Sequence, residues 1–187
     1  MENWPNNLAA LVPCYAGNGG NCTKIYTLEG ETVLDRRTVR WNLRRLARRF
    51  CIDLEAARSR YGELLDWRQG VPIPFSAALV LVPLKVRHTV GKNDGASGYF
   101  NAAAVEVSPG EGVEGFRSEL LLPGGHRLGC CYTVRTVKKR LKAGQLLLKF
   151  FAGEAKPVAA GESQTPEYSR FLERLFMAAI QAAGAGE

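Results

Sequence analysis

The residues of this chain whose type and spacing best suit a chemical role are arginines that lie close together. Residues 36–52 contain seven of them and no aspartate or glutamate. On a helix, side chains three and four residues apart share a face, so several of these arginines would form one ridge. Like charges on a ridge repel, and the negative charge of a phosphate backbone would relieve that repulsion. Arginine is also suited to phosphate, because its guanidinium group is planar and fork-shaped. The ridge consists of Arg37, Arg40, Arg44 and Arg48.

A second segment, residues 120–153, also lacks acidic side chains and is rich in lysine. A smaller basic group surrounds residues 85–92, and several glutamates lie between the basic segments. This segregation predicts a basic face and an acidic face, which is the electrostatic pattern of a nucleic-acid-binding protein. We expect the two basic helices to lie side by side, so that their charges add. The predicted contacts are Arg37, Arg40, Arg44, Arg45, Arg48, Arg58, Arg60, Lys85, Arg87, Arg135, Lys138, Lys139 and Lys142.

No catalytic or metal-binding set stands out in the sequence. The histidines, His88 and His126, lie in no recognisable nucleophile motif, and the glycine patterns of nucleotide-binding loops are missing. An odd number of cysteines without a C-x-x-C pair favours reduced, buried thiols over a disulfide framework or a zinc site. An enzyme whose groups converge from distant positions stays open, although no residue argues for one. We therefore expect a protein without catalytic activity, cofactor or metal.

Length and composition bound the remaining possibilities. The chain has 187 residues, 46% of them hydrophobic, and a net charge of +7, which suits one well-buried core and polyanionic partners. No stretch has the roughly 18–20 apolar residues of a membrane span. Residues 1–7 lack the features of a signal peptide. We expect a cytoplasmic protein that does not engage membranes.

The hydrophobic pattern predicts an α+β fold in one domain, with a mostly antiparallel sheet of about five to seven strands and three to four helices. Residues 70–74 resemble a linker, because prolines there exclude a helix, and Pro83 inside a strand suggests an edge or a bulge. Residues 145–151 fit a helix or a strand, and we favour the strand. The predicted strands cover residues 8–14, 22–28, 77–87, 99–107, 114–122, 126–132 and 145–151.

Three helices are predicted within residues 1–151, which form the basic domain. Asp35 would cap the first, Asp53 the second and Thr133 the third, which would end near Gly144. Residues 152–165 are predicted to be a flexible linker. The C-terminal residues 166–187 contain an amphipathic helix that would pack on the domain, on a partner or on a second copy of the chain.

The two helices of residues 36–65 also fit a helix-turn-helix motif. In that variant the second helix reads base edges, although the first helix carries most of the charge. The reading residues would be Arg58, Ser59, Arg60 and Glu63.

The order of these features over about residues 8–150 resembles that of the ComK-type competence transcription factors. The resemblance implies a transcriptional activator that binds A·T-rich DNA, with contacts in the minor groove. The chain differs from that family in its denser arginine helix and its alanine-rich C-terminal segment. The matching motifs are Cys22-Thr23-Lys24-Ile25, Arg60-Tyr61-Gly62, Pro72-Ile73, Pro83 at a strand end, Gly98-Tyr99-Phe100-Asn101, Leu120-Leu121-Leu122 with Gly124-Gly125, and the basic helix at 133–141.

The leading hypothesis is a sequence-preferring transcriptional regulator that binds double-stranded DNA, with one or two arginines entering a narrow minor groove. A second hypothesis is a protein–protein adaptor that uses the C-terminal helix, which could also form a homodimer. A third is an RNA-binding module in which Tyr99 and Phe100 stack on bases.

Overall fold

The computed structural model of the chain describes residues 4–17, 19–91, 94–110 and 115–152. They form an α+β fold in a single domain, and the predicted fold class is confirmed. The helices are α1 (Val39–Arg49), α2 (Leu54–Leu65) and α3 (Val134–Phe151). The strands are β1 (Leu8–Tyr15), β2 (Asn21–Thr27), β3 (Thr32–Asp35), β4 (Ile73–Ser76), β5 (Leu79–Lys85), β6 (Ser97–Asn101), β7 (Glu106–Pro109), β8 (Ser118–Leu122) and β9 (His126–Cys130).

The strands form two antiparallel sheets. The larger has the order β3-β2-β1-β6-β5-β4, and the smaller has the order β7-β8-β9. The sheets meet at two turns, where Gly30 and Gly124 approach so closely that a Cβ added to Gly30 would lie 2.7 Å from the Gly124 Cα. Both glycines have a positive φ, which other residues rarely adopt. His126 links the sheets as well, through a 2.9 Å contact from Nε2 to the Gly30 carbonyl.

The larger sheet is apolar on both faces, and each face carries a helix. Successive side chains of a strand point to opposite faces. Leu11 and Leu81 belong to the core cluster of α1, whereas Val12 and Val82 belong to that of α3. Helices α1 and α3 therefore cover opposite faces of one sheet.

Helix α1 begins one turn later than predicted. Its N-cap is Thr38, whose hydroxyl accepts a 3.2 Å hydrogen bond from the Trp41 amide. The predicted cap, Asp35, ends β3 and instead accepts hydrogen bonds from Arg37. The predicted cap of α2 is confirmed, because Asp53 accepts from the amides of Glu55 and Ala56.

Helix α3 begins at its predicted cap, Thr133, but runs through Gly144 to Phe151. The prediction of a strand at 145–151 was therefore wrong. Leu146 and Leu147 are buried as part of the helix. Gly144 lies against β5, where an added Cβ would come within 2.6 Å of the Val82 Cγ2 atom. Gly144 thus permits close packing and does not end the helix.

Besides residues 145–151, three further predictions that bear on strands needed correction. The segment taken for a linker, residues 70–74, contains the start of β4. The predicted strand 99–107 is divided into β6 and β7 by a turn at residues 102–104. Strand β5 is internal, but β4 pairs with it only as far as Leu81. Pro83 therefore lies beyond the end of β4, where its missing N–H has no neighbouring strand to meet.

The C-terminal predictions, the linker from residue 153 onward and the helix within 166–187, lie outside the described residues. Among the helices that are described, none has the length and apolar character to cross a membrane.

Candidate nucleic-acid interface

The outer side of α1, together with Arg37 just before the helix, is an arginine surface. This surface consists of Arg37, Arg40, Trp41, Arg44, Arg45, Arg48 and Arg49. The inner side of the helix buries Val39, Leu43 and Leu46 against the sheet. Arg40, Arg44 and Arg48 follow one another at four-residue spacing, and all three side chains are exposed. Three of the four arginines of the predicted ridge therefore lie in one exposed row, and the fourth, Arg37, precedes the helix.

The arginines of α1 itself, Arg40, Arg44, Arg45, Arg48 and Arg49, form no ion pair within the described part of the chain. The ion pairs there are Arg37 with Asp35, at 2.9 Å, and Arg127 with Glu119, at 3.0 Å. Neither involves a residue of α1. The cations on this helix therefore repel one another with no compensating ion pair among the described residues, which favours binding of a polyanion.

Aromatic rings lie beside the arginines, a feature that the sequence analysis missed. The Arg37 guanidinium carbon is 3.9 Å from the centroid of the Trp41 ring. Arg45 lies 5.8 Å from the same ring and 5.9 Å from that of Trp4. Trp41 is four residues from both arginines, so helical spacing could have revealed these contacts. Cation–π contacts of this kind hold guanidinium groups in place.

Asp35 anchors the beginning of this surface. Burial alone would raise the pKa of its carboxyl, but hydrogen bonds and charge from Arg37 outweigh that effect, and the pKa is lowered. Arg37 is therefore partly neutralised and oriented by Asp35, whereas the arginines of α1 stay uncompensated in the described structure.

The arginines of α2 are not brought together. Arg58 donates a 3.3 Å hydrogen bond to the Tyr99 hydroxyl. Arg60 lies on another side of the helix and lines a cavity of about 380 Å³ together with Tyr61, Phe75 and Phe151. Ser59 donates to Glu63 at 3.2 Å. The set predicted for a helix-turn-helix reader therefore does not form one reading face.

Arg87 has an internal role and is not available as a phosphate contact. Its guanidinium donates to the Gly95 carbonyl at 2.8 Å and to Asn21 Oδ1 at 2.6 Å, and it lies 4.3 Å from the Tyr15 ring centroid. A third nitrogen, Nη1, is buried with no hydrogen-bond partner among the described residues. Lys85, also a predicted contact, is half-buried in β5.

Asp94 completes this polar cluster at the end of the sheet. Its carboxylate accepts hydrogen bonds from Asn21 at 2.7 Å and from Tyr15 at 2.5 Å. These bonds, joined by one from the Gly91 amide, hold the pKa of Asp94 well below the ordinary range of a carboxyl. The cluster therefore ties Asp94 and Arg87 to the ends of β1 and β2.

The outer side of α3 carries a lysine ridge, which consists of Arg135, Lys138, Lys142 and Lys149. All four side chains are exposed. Two neighbouring cations are engaged differently. Lys139 lies 5.9 Å from the Trp67 ring centroid. Arg140 turns inward and donates to the carbonyls of Gly70 and Pro83.

The expected shared face of the two basic helices does not exist. The arginine surface and the lysine ridge point away from opposite faces of the larger sheet, because α1 and α3 belong to different core clusters. The sequence indicates this separation in two strands, LAALV at 8–12 and LVLV at 79–82. An uninterrupted apolar run of this kind is typical of a strand that is buried on both faces. Each apolar face needs its own covering helix, and the two amphipathic helices are separated for that reason.

Base stacking on Phe100 is excluded by its position. Phe100 is 0% exposed and lies in the core on the α3 side. Tyr99 is partly buried against the α1-side core. The RNA-binding hypothesis therefore loses the aromatic pair on which it was based.

The thiols form no metal site in the described residues, which contain no cluster of three potential ligands. Cys14 and Cys22 face each other across β1 and β2 with their sulfurs 2.7 Å apart. Burial, together with the neighbouring Cys22 thiol, raises the pKa of Cys14 to about 12. Cys131 lies 3.8 Å from His88 Nε2, which also contacts the Gly115 carbonyl at 2.9 Å.

The chain matches no protein family, no curated protein and no solved structure with which it was compared. The resemblance to the ComK-type factors stays a prediction.

Proposed function

We propose that this protein binds double-stranded DNA through the arginine surface. The observation that supports the proposal best is that Arg40, Arg44 and Arg48 are exposed in one row on α1, with no acidic partner in the described structure. Binding to phosphates relieves the repulsion within this row. The expected role is non-catalytic.

The dimensions of the row suit a DNA backbone. Arg40 and Arg48 are eight residues apart, which corresponds to about 12 Å along a helix. Phosphates of one strand recur about every 3.4 Å along the duplex axis. The row can therefore contact several phosphates of one strand at once.

Helix α1 presents its side and not its end to a ligand, because its inner side lies on the sheet. A helix in this orientation is suited to phosphate contacts, which position a protein on DNA without reading its sequence. Sequence preference would then come from DNA shape, and A·T-rich tracts attract arginine through their narrow minor groove. Together with the ComK-type resemblance, this supports a role in transcriptional regulation.

The proposal is tested by measuring the affinity for a fluorescent 20-bp duplex. The variant Arg40→Ala/Arg44→Ala/Arg48→Ala should bind weaker by on the order of 10²-fold at about 0.1 M salt, since three phosphate contacts are lost. The matched control, Arg68→Ala/Arg117→Ala/Arg127→Ala, removes the same number of positive charges from exposed positions outside α1 and α3. Equal losses in the two variants would show that net charge, and not the arginine surface, holds the DNA.

The identity of the nucleic acid is tested with three ligands in the same assay. We expect the A·T-rich duplex to bind more tightly than a G·C-rich duplex, and both to bind more tightly than an RNA hairpin. A preference for the hairpin would contradict the proposal for DNA.

A further inference from the structure

The lysine ridge is the largest charged feature that the arginine surface leaves unexplained. Arg135, Lys138 and Lys142 are exposed along one side of α3, and the described residues provide no acidic partner for them. They cannot join the arginine surface, because the larger sheet lies between α1 and α3.

We propose that the lysine ridge is a second DNA-binding surface, and that one protein molecule bridges two duplexes. The inference rests on the proposed function of the arginine surface.

The geometry separates the two surfaces by the thickness of the domain. Helix α3 lies on the sheet through Val137, Leu141 and Gly144, and its ridge points outward. Two helices, each about 10 Å in diameter, and the sheet between them place the surfaces at least about 20 Å apart. They face in opposite directions.

A single duplex does not reach both surfaces. DNA has a persistence length of about 500 Å, whereas a contact to both faces would require it to turn back around one small domain. Each surface therefore engages its own duplex, or a distant part of a long one. Once the arginine surface is bound, neighbouring DNA is present at a raised effective concentration for the ridge.

The chemistry of the ridge favours a phosphate backbone as its occupant. Arg135 and Lys149 are 14 residues apart, which is about 21 Å of helix and comparable to six base pairs of duplex. The lysine ammonium group is a compact charge at the end of a flexible side chain, and it lacks the planar geometry of a guanidinium group. Such a row follows a uniform line of phosphates and does not select a particular sequence.

The test is a bridging assay with a duplex fixed to beads and a fluorescent duplex in solution. We expect wild-type protein to bring the free duplex to the beads. With the ridge variant Arg135→Ala/Lys138→Ala/Lys142→Ala, the amount of free duplex captured on the beads should fall by about ten-fold or more. This variant should still bind a single duplex through the arginine surface. The variant Arg135→Lys/Lys138→Arg/Lys142→Arg, which keeps the charge, should bridge as the wild type does.

The outcomes separate the two proposals. Wild-type protein that binds no duplex at all would refute DNA binding itself. Binding without capture would refute bridging and leave the proposal for the arginine surface intact. Capture that survives in the ridge variant would also overturn the inference, since two arginine surfaces in a dimer would then be responsible.

Discussion

Leu81 and Val82 are neighbours in β5, yet Leu81 packs on the α1 side of the sheet and Val82 packs on the α3 side. Both side chains are 0% exposed. This alternation places α1 and α3, with their exposed cations, on opposite faces of the sheet. The arginine surface and the lysine ridge therefore face away from each other across the larger sheet.

Substitution of Gly144 should destabilise the protein although it lies in a helix. Alanine at this position improves helix propensity by about 1 kcal/mol. The new methyl group would, however, collide with Val82 and Ala102, and overpacking of this kind costs about 1–3 kcal/mol. We expect Gly144→Ala to lower the free energy of unfolding in urea, whereas Lys138→Ala, on the exposed side of α3, should leave it nearly unchanged. Stabilisation by Gly144→Ala would contradict the described packing of α3.

The cap of α1 can be tested by a pair of substitutions. Thr38→Ala removes the hydroxyl that accepts from the Trp41 amide, and such a loss costs about 1 kcal/mol. Thr38→Ser keeps the hydroxyl and should be close to wild type in thermal unfolding. If both variants lose the same stability, the methyl group and not the cap is responsible.

The stability of the protein should depend on pH through Asp94. Hydrogen bonds from Asn21 and Tyr15 lower the pKa of Asp94, so the unfolded state takes up its proton at a higher pH than the folded state does. The contribution is therefore present above the ordinary carboxyl pKa of about 4 and is lost as the pH falls through the lowered value. We expect the difference in unfolding free energy between wild type and Asp94→Asn to shrink as the pH falls from 6 to 2. A difference that grows on acidification would contradict a lowered pKa of Asp94 in the folded state.

The cysteines should react with iodoacetamide in a definite order. Cys51 is exposed and should be alkylated first. Burial and the Cys22 thiol raise the pKa of Cys14 to about 12, so little reactive thiolate forms there at neutral pH. Peptide mass spectrometry after short exposures measures the order. In Cys51→Ser the fast phase should disappear, and its survival would show that another thiol is accessible.

Local patterns in the sequence predicted much of the fold. Residues 8–14 and 22–28 correspond to β1 and β2, and Asp53 and Thr133 cap the helices that they were expected to cap. These features depend on a few adjacent residues. The prediction that α3 ends near Gly144 was wrong because the glycine is needed for close contact with β5 and does not end the helix. Strand β5 lies far from Gly144 in the sequence.

The candidate site was predictable only in part. The exposed row on α1 follows from helical periodicity, as does the outward position of Lys138 and Lys142. The relation between the two helices depends on which face of the sheet each one covers, and charge patterns do not contain that information. The internal role of Arg87 likewise arises from Asn21 and Tyr15, which are distant in sequence.

The salt dependence of DNA binding tests the central claim most directly. The logarithm of the binding constant falls with the logarithm of salt concentration by about 0.9 for each phosphate contact. If the arginine surface holds the DNA, the slope of Arg40→Ala/Arg44→Ala/Arg48→Ala should be shallower than that of wild type by about 2 to 3, and the slope of Arg68→Ala/Arg117→Ala/Arg127→Ala should match the wild-type value. Equal slopes for wild type and the α1 variant would contradict the account.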